Sequence, residues 1–144
     1  MEQNERHGSC LCGGVSFDVT LTDFRAHVCH CSMCRKWGAG GPAISVDCDS
    51  DVKFVNQDNL SWYKSSEFGQ RGFCKLCGSG LFYKDTMDGP VYLNVSVAAL
   101  KDDSDISIKD HIFIDNKPDY YDFADHCPRF TEAQFLARIQ EKKA

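Results

Sequence analysis

Seven of the nine cysteines in this chain fall into three tight clusters: Cys10-Leu-Cys12, Cys29-His-Cys31-Ser-Met-Cys34 and Cys74-Lys-Leu-Cys77. Cysteines two or three positions apart suit shared metal ligation and are too close for an easy mutual bridge. The two outer pairs together supply four thiolates, enough to close a tetrahedral zinc site, while the middle cluster supplies three and leaves one position open. The spacing predicts a structural zinc on Cys10, Cys12, Cys74 and Cys77 and a second zinc on Cys29, Cys31 and Cys34. Two alternatives stay open at this level. His27 or His30 could supply a fourth ligand to the middle set, or Cys29 or Cys31 could join Cys10 and Cys12.

An open three-thiolate zinc carries a net charge of −1 and is a weak Lewis acid for water. It suits a fourth soft ligand, an incoming thiol, which loses its proton on binding. A thiolate held at neutral pH is a nucleophile for an aldehyde carbonyl, and the reverse step expels it from a hemithioacetal. The pattern therefore points to carbon–sulfur bond chemistry, with Cys29, Cys31 and Cys34 at its centre and His30 as a candidate general acid/base.

A thiol of the glutathione kind brings carboxylates, which arginine holds with paired hydrogen bonds. Arg35, directly after Cys34, and Arg71, three residues before Cys74, are the candidate anchors; Lys36 reads as a surface charge. Gly40 and Gly41, in the run Gly38-Ala-Gly-Gly41, would let a ligand approach the backbone closely. Trp37, Trp62 and Phe73 read as core, and Cys48 and Cys127 as plain, partly buried thiols.

The composition narrows the setting. Met1 to Gly8 is polar, without the apolar run of a signal peptide, and the cysteine count is odd, so reduced thiols and a cytoplasmic location are expected. Ten Phe, five Tyr and two Trp argue for a packed core. No stretch has the apolar length to cross a bilayer. A net charge of −5 with no basic run speaks against nucleic acid or an acidic membrane as partner. The oligomeric state is not legible.

The elements that must position the cysteines are mostly strands. Val15, Phe17 and Val19 alternate with polar residues, and Gly13-Gly14 lets the chain turn away from the first ligand pair. Further strands are expected at Ala43–Val46, Val52–Val55, Leu60–Lys64, Arg71–Phe73, Leu81–Lys84, Val91–Val97 and His111–Ile114. Gly38–Pro42, Asp88–Pro90 and Asn116–Pro118 read as turns. Ser32–Trp37 reads as one helical turn. A capping box of Thr131 and Gln134 opens a terminal helix with an apolar stripe of Phe135, Leu136 and Ile139, and Lys142 and Lys143 suit its C-terminal dipole. The architecture expected is a single mainly β domain over residues 1–144, ending in a helix over about residues 131–143, with the four-Cys zinc tying early strands to middle ones.

The segments Gly8-Ser-Cys-Leu-Cys-Gly-Gly-Val15, Cys29-His-Cys-Ser-Met-Cys-Arg-Lys36 and Arg71-Gly-Phe-Cys-Lys-Leu-Cys-Gly-Ser-Gly-Leu81 occur in order. Together with His111-Ile-Phe-Ile114 and Asp125-His-Cys-Pro-Arg-Phe130, they resemble the glutathione-dependent formaldehyde-activating enzyme family, whose domain is shared with centromere protein V. The resemblance covers about residues 8–130. It implies two stacked, mostly antiparallel sheets like those of methionine sulfoxide reductase B, and the same division of ligands into four and three. It also implies condensation of glutathione with formaldehyde, a carbon–sulfur lyase reaction in reverse, on a small-molecule thiol or its aldehyde adduct. Two other readings of the residues remain, a non-enzymatic zinc module and a redox sensor that releases zinc on oxidation. Cys127 and Tyr120-Tyr121 depart from the family pattern.

Overall fold

The computed structural model describes residues 4–85 and 90–143, with side chains in the terminal helix described through residue 141. Asp88 and Gly89 of the expected turn at Asp88–Pro90, and the side chains of Lys142 and Lys143, lie outside the described residues. In chain order the strands are β1 (Glu5–Ser9), β2 (Ser16–Thr20), β3 (Arg25–Cys29), β4 (Ala43–Cys48), β5 (Lys53–Asn56), β6 (Leu60–Lys64), β7 (Gly69–Cys74), β8 (Gly80–Asp85), β9 (Tyr92–Ser96), β10 (Ser107–Ile112) and β11 (Arg129–Phe130). Helix α1 spans Ser32–Trp37 and α2 spans Glu132–Lys143. The chain is mainly β, with two sheets and a C-terminal helix. Its contacts group into two compact units, residues 1–24 with 45–106, and residues 25–44 with 107–144.

In the first unit β1, β2 and β5 form an antiparallel three-stranded sheet, and β4, β9, β8, β7 and β6 follow one another in antiparallel order. The alternation in β2 works as the pattern predicts: Val15, Phe17 and Val19 are fully buried while Ser16, Asp18 and Thr20 stay half-buried. Phe17 packs its ring 4.7 Å from that of Phe82 on β8 and 6.2 Å from that of Phe54 on β5. A β-carbon on Gly8 would meet the Phe17 ring at 2.7 Å and the Ala99 carbonyl at 2.9 Å, so β1 can pass only as glycine there.

In the second unit β10 lies between β3 and β11 and runs parallel to both. A mostly antiparallel chain thus carries a parallel run. β10 begins four residues before the expected start at His111, and its pattern is obscured by an irregularity between Ile108 and Asp110. Asp110, His111 and Ile112 are buried in succession, so polar residues sit where alternation would place a solvent face. Asp110 is satisfied by His27 at 2.7 Å, with the Arg138 guanidinium 3.8 Å away.

The capping box forms as read from the sequence. The Thr131 N–H donates to Gln134 Oε1 at 2.9 Å, and the Gln134 N–H donates to Thr131 Oγ1 at 3.2 Å. Phe135 docks against Phe113, and Arg138 covers the Phe130 ring. Leu136 departs from the expected stripe: it is exposed, while Phe135, Arg138 and Ile139 are half-buried. Trp37 is likewise exposed at the end of α1, not core. Among the described residues no helix is long and apolar enough to cross a membrane.

Truncating Phe17 to alanine should destabilise the protein by about 3–5 kcal/mol, the usual range for a buried aromatic ring. Urea denaturation followed by tryptophan fluorescence measures this, and a loss below about 1 kcal/mol would show that the ring cluster is not the centre of the core.

Candidate metal centres and their surroundings

Two hairpin turns of the first unit bring the outer cysteines together. Cys10 and Cys12 lie in the turn between β1 and β2, which closes with the Gly13 N–H donating to the Cys10 carbonyl at 3.2 Å. Cys74 ends β7, Cys77 lies in the turn to β8, and the Gly78 N–H donates to the Cys74 carbonyl at 2.8 Å. Gly13 (φ 78°) and Gly78 (φ 81°) take the left-handed conformation each turn requires. The turns are also stitched to each other, because the Leu11 N–H donates to Ser79 Oγ at 3.0 Å and Asn59 Nδ2 donates to the Gly14 carbonyl at 3.2 Å.

The four sulfurs all lie within 4.8 Å of one another. Tetrahedral zinc with Zn–S bonds of about 2.3 Å places its sulfurs about 3.8 Å apart. The Cys10–Cys12 and Cys12–Cys74 separations are 3.7 and 3.8 Å, so this cluster fits the metal. Backbone N–H groups already point at sulfur, from Val15 to Cys10 at 3.2 Å and from Gly14 to Cys12 at 3.3 Å. Such donors favour thiolate over thiol. Hydrogen bonds from Ser79, first its hydroxyl and then its N–H, pull the Cys77 thiol down to about 5.

The middle cluster belongs wholly to the second unit. Cys29 is the last residue of β3, Cys31 caps α1, and Cys34 is buried one turn into that helix. The Cys34 N–H donates to Cys31 Sγ at 3.3 Å, which fixes two of the three cysteines on one helical turn. All three sulfurs lie within 4.8 Å of one another, and no fourth Cys, His, Asp or Glu among the described residues joins them. The neighbouring sulfurs of Cys31 and Cys34, followed by burial, push the Cys29 thiol strongly upward. Three thiolates packed this closely need a cation between them.

Neither histidine considered as a fourth ligand is in the set. His27 Nδ1 is bonded to Asp110 at 2.7 Å. His30, fully buried between Cys29 and Cys31 in sequence, uses both ring nitrogens: Nδ1 meets the Tyr121 hydroxyl at 2.7 Å and Nε2 meets His111 Nδ1 at 2.9 Å. The parallel register explains this pairing. His111 lies opposite Val28, the His30 N–H donates to the Ile112 carbonyl at 3.1 Å, and strand alternation returns His30 to the face of Val28. Burial, then the neighbouring His111, lower His30 to about 4.

Beside α1 lies a cleft of about 400 Å³ lined by Ser32, Arg35, Lys36, Ala39, Gly40 and Tyr120. Its shape depends on the turn after the helix. Ala39 (φ 59°) and Gly40 (φ 110°) are both left-handed, the Gly40 N–H donates to the Arg35 carbonyl at 2.7 Å, and the Tyr120 hydroxyl donates to the Gly40 carbonyl at 2.7 Å. Arg35 Nε donates to the His30 carbonyl at 3.1 Å. Of the two expected glycines, Gly40 forms part of the wall and Gly41 does not.

Arg71 sits elsewhere, in the first unit. It is buried, donates from Nε to Ser65 Oγ at 3.1 Å and lies over the Tyr83 ring, which are the contacts of a packing residue. Cys48 is buried, and Cys127 is half-buried with its sulfur 3.1 Å from the Ile108 carbonyl. The sequence reasoning missed Tyr121, His111 and Asp125, whose carboxylate meets His111 Nε2 at 2.9 Å. The signals available for His111 and Asp125 were the segments His111–Ile114 and Asp125–Phe130, which carried the family resemblance without a role attached, while Tyr121 stood out only as a departure from the family pattern.

The sequence profile described as glutathione-dependent formaldehyde-activating enzyme matches residues 5–116. An uncharacterized lyase of Schizosaccharomyces pombe is 31% identical over 136 residues, covering 94% of this chain and 97% of its own length. A Halomonas elongata protein named for glutathione-dependent formaldehyde activation is 33% identical over 151 residues, covering 92% and 94%. Among solved structures, a Rhodobacter sphaeroides protein is similar with a TM-score of 0.56 at 32% identity, over 66% of this chain and 87% of that one. The chain belongs to the glutathione-dependent formaldehyde-activating enzyme family.

Proposed function

We propose that this protein is a zinc-dependent enzyme of the carbon–sulfur lyase type that joins a glutathione-like thiol to formaldehyde or another small aldehyde, and reverses that step. The observation that carries the reading is the three-sulfur cluster of Cys29, Cys31 and Cys34, two of whose members cap or lie on α1, the helix that also carries Arg35 and Lys36. A zinc ion held by three thiolates supplies an open position that takes a thiol in its ionised form.

The chain's own residues do the rest. Cys31 and Cys34 hold two ligand positions rigidly on one helical turn, and Cys29 brings the third from the end of β3. Arg35 and Lys36 offer cations to the carboxylates of the thiol, with the Arg35 side chain anchored through Nε and its terminal nitrogens left to bind. Gly40 allows backbone approach along the wall. His30 has both ring nitrogens engaged, so any part it takes in proton handling passes through its partners. The four-Cys cluster is read as structural, because both turns that carry it belong to hairpins of the core. The same reading includes the methionine sulfoxide reductase B-like sheet type implied for the family, and a cytoplasmic setting that keeps thiols reduced.

Metal analysis should give about two zinc ions per chain, about one in Cys31→Ser with the fold retained, and a largely unfolded Cys74→Ser, since a structural zinc site contributes about 10–16 kcal/mol in small peptides. Equal zinc in wild type and Cys31→Ser would contradict the division into two sites. Arg35→Met should weaken glutathione binding about ten- to a hundredfold, as expected for losing a charge-assisted hydrogen bond of about 1.5–3 kcal/mol. Calorimetry with glutathione measures this, and unchanged affinity would remove Arg35 from the site.

A further inference from the structure

Apart from the two cysteine clusters, the first unit holds a cleft of about 460 Å³ whose walls come from both of its sheets. Apolar side chains make most of the lining: Val52, Phe54 on β5, Leu60 and Trp62 on β6, Phe82 on β8 and Leu93 on β9. A space of this size, lined mainly by apolar and aromatic groups with a few polar ones, is the usual make-up of a small-molecule site. Among the described residues, no cysteine lines it, and neither Arg35 nor Lys36 does.

Strand register explains the aromatic wall. Trp62, Gly72 and Phe82 stand opposite one another on β6, β7 and β8, so they share one face of the sheet. Gly72 leaves that row open. A β-carbon there would stand 3.0 Å from Trp62 Cζ3 and 3.3 Å from Phe82 Cβ. The indole therefore lies across β7 and stacks on the Phe82 ring, with centroids 6.1 Å apart and planes 27° from parallel. Phe54 meets the same Phe82 ring edge-on from the other sheet, at 6.0 Å. Ring faces and edges turned in different directions suit a planar aromatic guest, which can meet them in stacked and edge-to-face contacts.

Lys84 gives this cleft its charge. It lies two positions beyond Phe82 on β8, on the same face, and pairs with Leu93 of β9. Its ammonium stands 4.1 Å from the centre of the Trp62 ring, a cation–π contact. The ring attracts the charge but supplies no oxygen to the three N–H donors, and no carboxylate among the described residues pairs with them. Lys84 is half-buried, so part of its hydration is lost in place. The opposite charge on the wall, Asp51, is exposed. A charge set against apolar rings acts through a lower effective dielectric than a solvated one, so Lys84 outweighs Asp51 for a guest inside the cleft.

We propose that this cleft is a second ligand site, and that it takes a small aromatic carboxylate with its ring against Phe54, Phe82 and Leu93 and its carboxylate on Lys84. Trp62 is a positioning residue, because its indole holds the ammonium in the wall. The site binds without a covalent step and stands independently of the thiol-addition reading.

The test titrates 3-phenylpropionate into the ¹⁵N-labelled, zinc-loaded full chain and follows the amide shifts by NMR. 3-Phenylpropanamide and 3-phenylpropylamine serve as the neutral and cationic counterparts. The acid should give saturable shifts at the amides of Phe54, Phe82 and Leu93 and leave those of Ser32–Trp37 in place. The propanamide should bind about tenfold or more weakly and the amine more weakly still, the loss expected for a charge-assisted hydrogen bond. Lys84→Met, which keeps an apolar stem over the indole, should weaken the acid about tenfold or more, and Lys84→Arg should stay within about threefold of wild type. No saturation by about 10 mM acid would overturn the proposal. Equal affinity of the wild type for acid and propanamide would do the same without relying on any variant. Tighter binding of the amine, shifts confined to Ser32–Trp37, or unchanged affinity in Lys84→Met would also overturn it.

Discussion

Like charge in close quarters is the constraint around which this chain is built. Four sulfurs within 4.8 Å in one unit, and three in the other, cannot ionise together unless a cation lies among them. The fold spends its tightest local geometry on making these clusters. Two turns with left-handed glycines aim backbone N–H groups at the four-sulfur set, and a one-turn helix cap fixes two members of the three-sulfur set. The two clusters differ in what surrounds them. The first is embedded in turns that bond to each other through Ser79 and Asn59, an arrangement that resists change. The second shares α1 with Arg35 and Lys36, which wall a cleft, and His30, between two of its cysteines in sequence, belongs to a buried row of polar side chains.

The grouping of the cysteines into a set of four and a set of three was legible in the sequence because short cysteine spacings are local. A Cys-x-Cys or Cys-x-x-Cys pair can reach one ion whatever the rest of the chain does. Strands with clean alternation, such as Ser16–Thr20, were legible for the same reason, as was the Thr131–Gln134 capping box. β1, β3 and β10 were harder. β1 reads as a polar segment, β3 is short and carries Arg25 and His27, and β10 buries Asp110 and His111 where alternation expects an apolar face. Their polar groups are satisfied by residues far away in sequence, His27 with Asp110 and Arg6 with Asp105, and no local pattern announces such pairs.

The same limit explains the substrate-handling residues. Arg35 is next to Cys34 in sequence and lies with it on α1, whereas Arg71, three residues before Cys74, meets Ser65 and the Tyr83 ring. His111, Tyr121 and Asp125 are up to 91 residues from their partner His30 or one strand away from it, and only the parallel pairing of β3 with β10 brings the imidazoles together. A buried histidine row assembled by strand register is a tertiary property. It turns the isolated candidate His30 into the middle of a connected group that ends at Tyr121.

The central claim is that the three-sulfur cluster is an open thiol-binding metal centre. Cobalt(II) replaces zinc in thiolate sites and reports each bound sulfur through charge-transfer absorption. Glutathione added to the cobalt-loaded protein should raise that absorption and shift the ligand-field bands toward a four-sulfur environment, and S-methylglutathione should do neither. The rise should vanish in Cys31→Ser while the bands of the other site persist. An unchanged spectrum on adding glutathione to the fully loaded wild type would show that no thiol enters the cluster and would contradict the account.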